Sequence, residues 1–323
     1  MINHKPLVSV LIPAFNHEKY IQQAIKSIIN QDYKNIELLI IDDGSTDDTW
    51  NKIQEMKFLC IGRFVNIFFE KQKNNGVCTT LNRLIQKSNG EFILINDSDD
   101  QAKNNTLSTL VTYLLEHKEY VLAVGDNEII NQESKRIGWD ESCQCVSLED
   151  ATYKTFGSFL QKYKKFDFNS DEFGKYRTFI KGNYIPNGYL IRADVLRNIG
   201  GFTTEAPLED LYLNLQLSKY GKMKYFDEIL FTYRWHDNNT VKRKAYMENI
   251  AKQTYLYEKK LVENLKNKKW KKIFYDEFYQ KKYYVNFFWI LKCYRLKAYD
   301  EQFFIFQFGK FKFTVYKYKK KKH

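Results

Sequence analysis

The chain lacks the features that mark secreted and membrane-spanning proteins. No apolar stretch reaches the roughly 18 residues that a membrane-spanning helix needs. The first six residues are short and polar, and they do not resemble a signal peptide. The five cysteines are odd in number and have no CxxC spacing, which favours reduced thiols over a disulfide framework or a zinc site. We therefore expect a cytoplasmic protein.

Two common nucleotide-binding motifs are also missing. No GxGxxG follows the first apolar run, and no GxxxxGK[ST] occurs anywhere in the chain. These absences disfavour a Rossmann dinucleotide site and a P-loop. The chain offers clusters of carboxylates instead. A carboxylate repels a phosphate directly, but it can hold a divalent cation that bridges to the phosphate.

Charge is distributed unevenly along the 323 residues. Residues 241–323 hold 23 Lys and Arg against 7 Asp and Glu, whereas residues 1–240 hold 28 against 32. The same last 83 residues contain 23 of the 54 aromatic side chains. The sequence therefore predicts a mildly acidic body with a strongly basic C-terminal region, which indicates an anionic partner for that region.

Apolar runs and helical patterns alternate through the first half of the chain. The predicted helices cover 17–30, 76–87 and 107–115, and helical periodicity returns at 189–199 and 208–217. The C-terminal segment 245–296 has no Pro or Gly and is expected to be helical, while 303–318 alternates and 140–182 shows no clear pattern. Five runs are predicted to be strands: 8–12, 36–41, 67–69, 92–95 and 121–124.

Strands separated by single helices imply βαβ units and a mostly parallel sheet. In such sheets ligands bind beyond the carboxyl ends of the strands. Asp42-Asp43 follows the second strand and Asp97-Ser98-Asp99-Asp100 follows the fourth, so both acidic clusters are expected at that edge. Taken alone, a DxD triplet is more often an ordinary Asp-rich turn than a metal site.

Several blocks of the sequence resemble family 2 glycosyltransferases, which have the GT-A fold. They occur in the family's order over about 230 residues, so together they are far more specific than any one of them. The matching blocks are 7–50, Asn75-Gly76, Asn82, 90–93, 97–100, 200–202, Glu209-Asp210 and Tyr233-Arg234-x-His236.

The resemblance implies roles for single residues. Pro13, Phe15 and Asp43 match positions that hold the nucleotide base and ribose, and Asp97 is the first aspartate of the DxD motif beside them. An aromatic ring at Phe15 can stack on a base, and the Asp43 carboxylate can accept a hydrogen bond from a ring N–H. Core packing is the alternative for Phe15, and for Asp42 a turn-stabilising role is favoured over ligand contact.

Three further residues match the family's reactive centre. Asp99, the second aspartate of the DxD motif, is expected to bind the metal, and His236 to close the site near the donor phosphates as a second metal ligand. Asp210 matches the catalytic base. The alternatives are a helix-start acidic pair for Glu209-Asp210 and a hydrogen-bonded surface histidine for His236.

The resemblance implies a hexosyltransferase of polysaccharide biosynthesis. It would move a sugar from a nucleoside diphosphate donor, UDP favoured, to a glycan or a lipid-linked saccharide. It would use Mn²⁺ or Mg²⁺ and invert the anomeric centre. The alternative is a non-catalytic scaffold that binds a nucleotide sugar or a glycan. We expect a GT-A catalytic domain at 1–240, with a nucleotide-binding half at about 1–100 and an acceptor half at about 101–240.

The basic C-terminal region, 241–323, has two compatible interpretations. It can lie on an anionic membrane with lysines at the headgroups, or it can pack on the catalytic body with its lysines solvated. The first predicts a peripheral protein on the inner face of the cell membrane. Nucleic-acid binding is disfavoured, because the body and its strand ends are acidic.

Overall fold

A computed structural model of the protein describes residues 5–287, 291–298, 301–308 and 311–318. The N-terminal part of the chain forms a ten-stranded sheet. Its strands are β1 (Val8–Ala14), β2 (Ile36–Asp42), β3 (Asn66–Lys71), β4 (Phe92–Ile95), β5 (Gln101–Ala102), β6 (Tyr120–Ile130), β7 (Arg136–Trp139), β8 (Cys145–Val146), β9 (Leu190–Arg192) and β10 (Lys222–Arg234).

The main path of the sheet runs in the order β3-β2-β1-β4-β9-β6-β10-β5, and β7 and β8 extend from β6. β1 to β4 are parallel along this path, as are β6 and β10. β9 is antiparallel to both of its neighbours, β4 and β6, and so joins the two parallel groups. The expected mostly parallel GT-A sheet is confirmed.

Helices cover both faces of the sheet, because its central strands are apolar on both sides. In β1, Val10 and Ile12 belong to one hydrophobic core and Leu11 belongs to the other, as the two-residue period of a strand requires. The helices of this part are α1 (Ile21–Ile29), α2 (Thr49–Glu55), α3 (Lys57–Arg63), α4 (Val77–Lys87), α5 (Thr106–Glu116), α6 (Phe156–Lys162), α7 (Tyr176–Lys181), α8 (Ala193–Asn198) and α9 (Glu209–Leu217).

The five predicted strands and the helices α1, α4, α5 and α9 are confirmed, although β6 continues to Ile130 and α1 begins only at Ile21. Over 189–199, where the spacing predicted a helix, Leu190–Arg192 forms β9 and only Ala193–Asn198 is helical. The 140–182 segment, which showed no pattern, contains β8, α6 and α7. α3 also escaped prediction, because its apolar side chains do not follow a buried face. Phe58 is 86% exposed, and Leu59 and Ile61 are exposed as well.

The C-terminal region starts with two helices, α10 (Lys244–Asn264) and α11 (Lys268–Phe278), after a short 3₁₀ turn at Thr240–Lys242. An antiparallel sheet follows, formed in chain order by β11 (Gln280–Phe287), β12 (Leu291–Ala298), β13 (Glu301–Phe308) and β14 (Phe311–Tyr318). Within the described residues, no helix is both long and apolar enough to cross a membrane.

The expected helical C-terminal region is present, but the helix expected over 245–296 is wrong beyond Phe278. Gln280–Phe287 carries tyrosine, valine and phenylalanine, which favour strands, and it pairs with Leu291–Ala298. Leu291–Ala298 in turn pairs with the alternating segment Glu301–Phe308. Apolar spacing along one segment could not show that pairing, which depends on its neighbours.

Candidate active site

The loop after β1 presents Phe15 to solvent. The Phe15 side chain is 44% exposed, which rules out the alternative of core packing, and Pro13 is half-buried in β1. Asn16 adopts a positive φ of 53°, its amide donates to the Ser45 hydroxyl at 2.9 Å, and its side-chain oxygen accepts from the Thr46 amide at 2.9 Å. Hydrogen bonds therefore connect the loop after β1 to the loop after β2, and the Phe15 ring beside Asn16 is exposed to solvent.

Asp43 organises the loop that precedes α4. Its carboxylate accepts from the backbone amides of Asn75 and Gly76, each at 2.9 Å, and from the Gln72 side chain at 2.7 Å. A carboxylate has about four acceptor positions, so one is still available. The contact between Asp43 and a nucleotide base, which the family resemblance implies, stays a prediction. Asp42 stabilises the turn, as expected, by accepting from the Ser45 amide at 3.0 Å.

The DxD loop after β4 is held from the end of β10. The Arg234 amide donates to the Asp100 carboxylate at 2.8 Å, and the Arg234 guanidinium donates to the Asp99 carbonyl at 2.8 Å. The Asn187 side chain donates to the carboxylates of both Asp97 and Asp100 at 3.0 Å. These bonds fix the shape of the DxD loop, and the Asp100 carboxylate takes part by accepting from both Arg234 and Asn187.

Three possible metal ligands meet at Asp99. The ligand atoms of His17, Asp99 and His236 lie within 4.8 Å of one another. His236 Nε2 donates to Asp99 at 2.9 Å, because its Nδ1 accepts from the Asn238 amide at 3.3 Å. Burial opposes ionisation of Asp99, but the hydrogen bond from His236 and the nearby His17 lower its pKa overall. Burial also lowers the pKa of His17. An ionised carboxylate thus faces two imidazoles.

Asp210 lies in the first turn of α9. Its carboxylate accepts from the Asn183 side chain at 2.6 Å and from the Leu211 amide at 2.6 Å. Burial raises its pKa, and these hydrogen bonds oppose the shift. Partial desolvation, followed by the charges of Asp99 and Asp210, raises the pKa of Asp97 to about 7, although part of its side chain is open to solvent. The three carboxylates therefore share one acidic cluster.

Sequence reasoning missed three of the residues that shape this cluster, namely His17, Asn183 and Asn187. His17 follows the first strand but belongs to no metal-binding spacing. Asn183 and Asn187 come just after the segment without a clear pattern, and their partners lie 27 and 90 residues away in the chain. Only the folded arrangement reveals these contacts.

Comparison with known proteins identifies the family. The profile of "Glycosyl transferase family 2" matches residues 9–184, which is more than half of the chain. The chain belongs to glycosyltransferase family 2. The matched range includes the loops around Phe15, Asp43 and the DxD motif, and the expected family is thereby confirmed.

Two curated relatives carry glycosyltransferase names. An uncharacterized glycosyltransferase of Haemophilus influenzae is 32% identical over 240 residues, which cover 73% of this chain and 67% of the relative. The GalNAc(5)-diNAcBac-PP-undecaprenol beta-1,3-glucosyltransferase of Campylobacter jejuni is 28% identical over 163 residues, covering 50% of this chain and 52% of the relative. The chain thus spans between half and two thirds of these relatives. Their names support an enzyme rather than a binding scaffold.

Two solved structures share the fold of this family 2 member. TarS (residues 1–349) of S. aureus in complex with UDP-GlcNAc has a TM-score of 0.59 and 18% identity, covering 84% of this chain and 71% of TarS. The mannosyltransferase PcManGT of Pyrobaculum calidifontis with GDP-Man and Mn²⁺ has a TM-score of 0.58 and 14% identity, covering 82% and 66%. At these identities the likeness shows the fold alone.

Proposed function

We propose that the protein transfers a hexose-type sugar from a nucleoside diphosphate donor, UDP favoured, to a saccharide acceptor, with inversion at the anomeric carbon. One observation carries the proposal: Asp97, Asp99 and Asp210 share a single acidic cluster, and the exposed Phe15 ring lies two residues before His17, whose Nδ1 is 3.9 Å from the Asp99 carboxylate. A cluster of negative charge suits a cation and its diphosphate, and an exposed ring suits a nucleotide base. The nucleotide sugars bound to TarS and PcManGT are consistent with this class of donor.

Asp99, His236 and His17 suit a divalent metal. One carboxylate and two imidazoles are ligands that Mn²⁺ accepts, and the Asp99 carboxylate is held in its ionised form. His236 would bind through Nε2 as the neutral tautomer that carries its proton on Nδ1, so the proton would move from Nε2 to Nδ1 and the bond from the Asn238 amide would be lost. When bound, the ion would supply positive charge that neutralises the departing nucleoside diphosphate. The Mn²⁺ of PcManGT supports the choice of metal.

Asp210 is the base in this proposal. Asn183 and the Leu211 amide fix its carboxylate, so one orientation is available to accept the proton of an acceptor hydroxyl. The raised pKa of Asp210, caused first by burial, increases its strength as a base. If the acceptor approaches from Asp210, opposite the departing diphosphate, the anomeric centre inverts.

Removal of metal is expected to abolish release of the nucleoside diphosphate from a nucleotide sugar. Excess EDTA should stop turnover, and Mn²⁺ or Mg²⁺ should restore it. In parallel, Mn²⁺ affinity measured by electron paramagnetic resonance should fall in Asp99→Asn and His17→Ala, and should be unchanged in Glu119→Gln, an exposed carboxylate in the turn before β6. Full turnover in excess chelator would rule out the metal requirement.

We further propose that the acceptor is glycan or lipid-linked and that the basic C-terminal region holds the protein on the inner face of the cell membrane. The Campylobacter relative is named for an undecaprenol-linked acceptor. α11 presents a row of exposed lysines, and each lysine near an anionic surface contributes about 1 kcal/mol. The row comprises Lys268, Lys269, Lys271 and Lys272.

Replacing these four lysines by glutamine should weaken cosedimentation with phosphatidylserine-containing vesicles, most clearly at low salt. The matched control replaces four exposed lysines of the catalytic body and so makes the same change in net charge. Equal loss of binding in both variants would mean that net charge, and not this helix, drives attachment. The control residues are Lys26, Lys34, Lys57 and Lys118.

A further inference from the structure

One turn of α10, in the C-terminal region, contacts the two helices that lead to the proposed base. α9 carries Asp210 in its first turn, and α7 ends two residues before Asn183, which donates to Asp210. Three side chains of α10 make these contacts through hydrogen bonds: Thr254, Tyr255 and Glu258. Thr254 and Glu258 are completely buried, and Tyr255 is nearly so.

Thr254 supports the start of α9. The amide of Leu208, the residue directly before that helix, donates to the Thr254 hydroxyl at 3.0 Å. Amides at a helix start have no acceptor within the helix, and the leucine side chain at this cap position provides none. A hydroxyl from another helix therefore fixes the backbone two residues before Asp210.

Glu258 joins the other end of α9 to α7. Its carboxylate accepts from Gln216 of α9 at 2.7 Å, from Lys219 just after that helix at 2.7 Å, and from the Tyr176 hydroxyl of α7 at 2.5 Å. Tyr255 adds a second bond to α7, since its hydroxyl donates to the Phe179 carbonyl at 3.1 Å. α10 thus sets the position of α7 relative to α9.

The orientation of Asp210 depends on that relative position. Asn183 donates to Asp210 at 2.6 Å and at the same time accepts from Asn214 of α9 at 3.0 Å. Asn183 therefore bridges the chain after α7 to two turns of α9. A shift of α7 against α9 would break this bridge, and the Asp210 carboxylate would keep its bond from the Leu211 amide but lose the one from Asn183 that orients its second oxygen.

We propose that Thr254, Tyr255 and Glu258 are positioning residues for the Asp210 carboxylate, so that α10 is part of the catalytic unit. This inference rests on the proposed role of Asp210 as the base. It places a functional contribution beyond residue 240, where the sequence predicted the end of the catalytic domain.

The test compares Thr254→Val, which removes the acceptor but keeps the shape, with Thr254→Ser, which keeps the hydroxyl. In Thr254→Val, kcat should fall about tenfold or more, toward the roughly 10²-fold loss that a misplacement of about 1 Å causes, while the KM for the nucleotide sugar is unchanged. Thr254→Ser should restore most of kcat. Tyr255→Phe should give a smaller fall in kcat, again without a change in KM.

Thr106→Val is the matched control, because Thr106 is another completely buried threonine whose hydroxyl bonds to the Leu230 carbonyl. It should lower the melting temperature and leave kcat unchanged.

A wild-type kcat in Thr254→Val and in Tyr255→Phe would overturn the positioning role. If Asp210→Asn itself keeps the wild-type kcat, the proposed base is wrong; if only the α10 variants keep it, the positioning role alone is wrong. Tyr255→Phe, a conservative change, provides the kcat comparison if Thr254→Val does not fold.

Discussion

Replacing Asp210 by asparagine should lower kcat for sugar transfer by about 10²–10⁴-fold, the usual contribution of a general base. Asparagine has the same shape as aspartate but cannot take a proton from the acceptor hydroxyl. The KM for the nucleotide sugar should change little, because the proposed metal ligands and the exposed Phe15 ring are untouched. Steady-state release of the nucleoside diphosphate with a saccharide acceptor measures both quantities.

Asp194→Asn is the control for this experiment. Asp194 also lies in the first turn of a helix, α8, and it is exposed. If the acidic residue of α9 acts only through the helix dipole, the two variants should behave alike, with small losses of stability and a normal rate. A wild-type kcat in Asp210→Asn would remove Asp210 from the mechanism.

Loss of Glu258 should be among the most destabilising single changes in the protein. The Lys219 side chain is 8% exposed and that of Glu258 is fully buried, with 2.7 Å between their charged atoms. Removing one partner of a buried ion pair leaves the other charge uncompensated and costs about 3–5 kcal/mol. Glu258→Ala should lower the free energy of unfolding by about that amount, as measured by urea denaturation.

Two further variants test whether the loss in Glu258→Ala comes from the buried charge pair. Lys219→Met combined with Glu258→Ala should recover part of the loss, because no lone charge then remains buried. Glu205→Ala breaks the ion pair between Lys260 and Glu205, whose side chains are 65% and 59% exposed respectively. The loss of this exposed pair should cost less than about 1 kcal/mol. Equal losses in Glu258→Ala and Glu205→Ala would show that burial of the pair has no energetic weight.

The sequence predicted the centre of the fold well, because β1, β2 and β4 are continuous apolar runs, each bounded by turn residues. It failed where the decisive contacts are distant in the chain. β9 lies between β4 and β6 as a short antiparallel strand, and neither its length nor its direction can be read from three residues. The hairpins after Phe278 are a second case, since strands there depend on pairing.

The candidate site shows the same division. Asp97, Asp99 and Asp210 belong to blocks that the family resemblance could locate, and the structure brings them together. His17, Asn183 and Asn187 have no local signature, because each acts through a partner brought close only by folding. Phe15 is intermediate: its position was predictable, while its exposure was decided by the loop around Asn16.

The attachment of α10 determines where the gene can be shortened for recombinant work. A protein that ends at residue 240 would lack Thr254 and Glu258, so the Leu208 amide would lose its acceptor and the Lys219 ammonium would lose its carboxylate partner. Such a fragment should be poorly expressed and prone to aggregate, even though it holds every residue of the family's motifs. A terminus after Tyr279 keeps both helices and the buried Tyr279 side chain, and it is the earliest boundary that we recommend for a shortened protein.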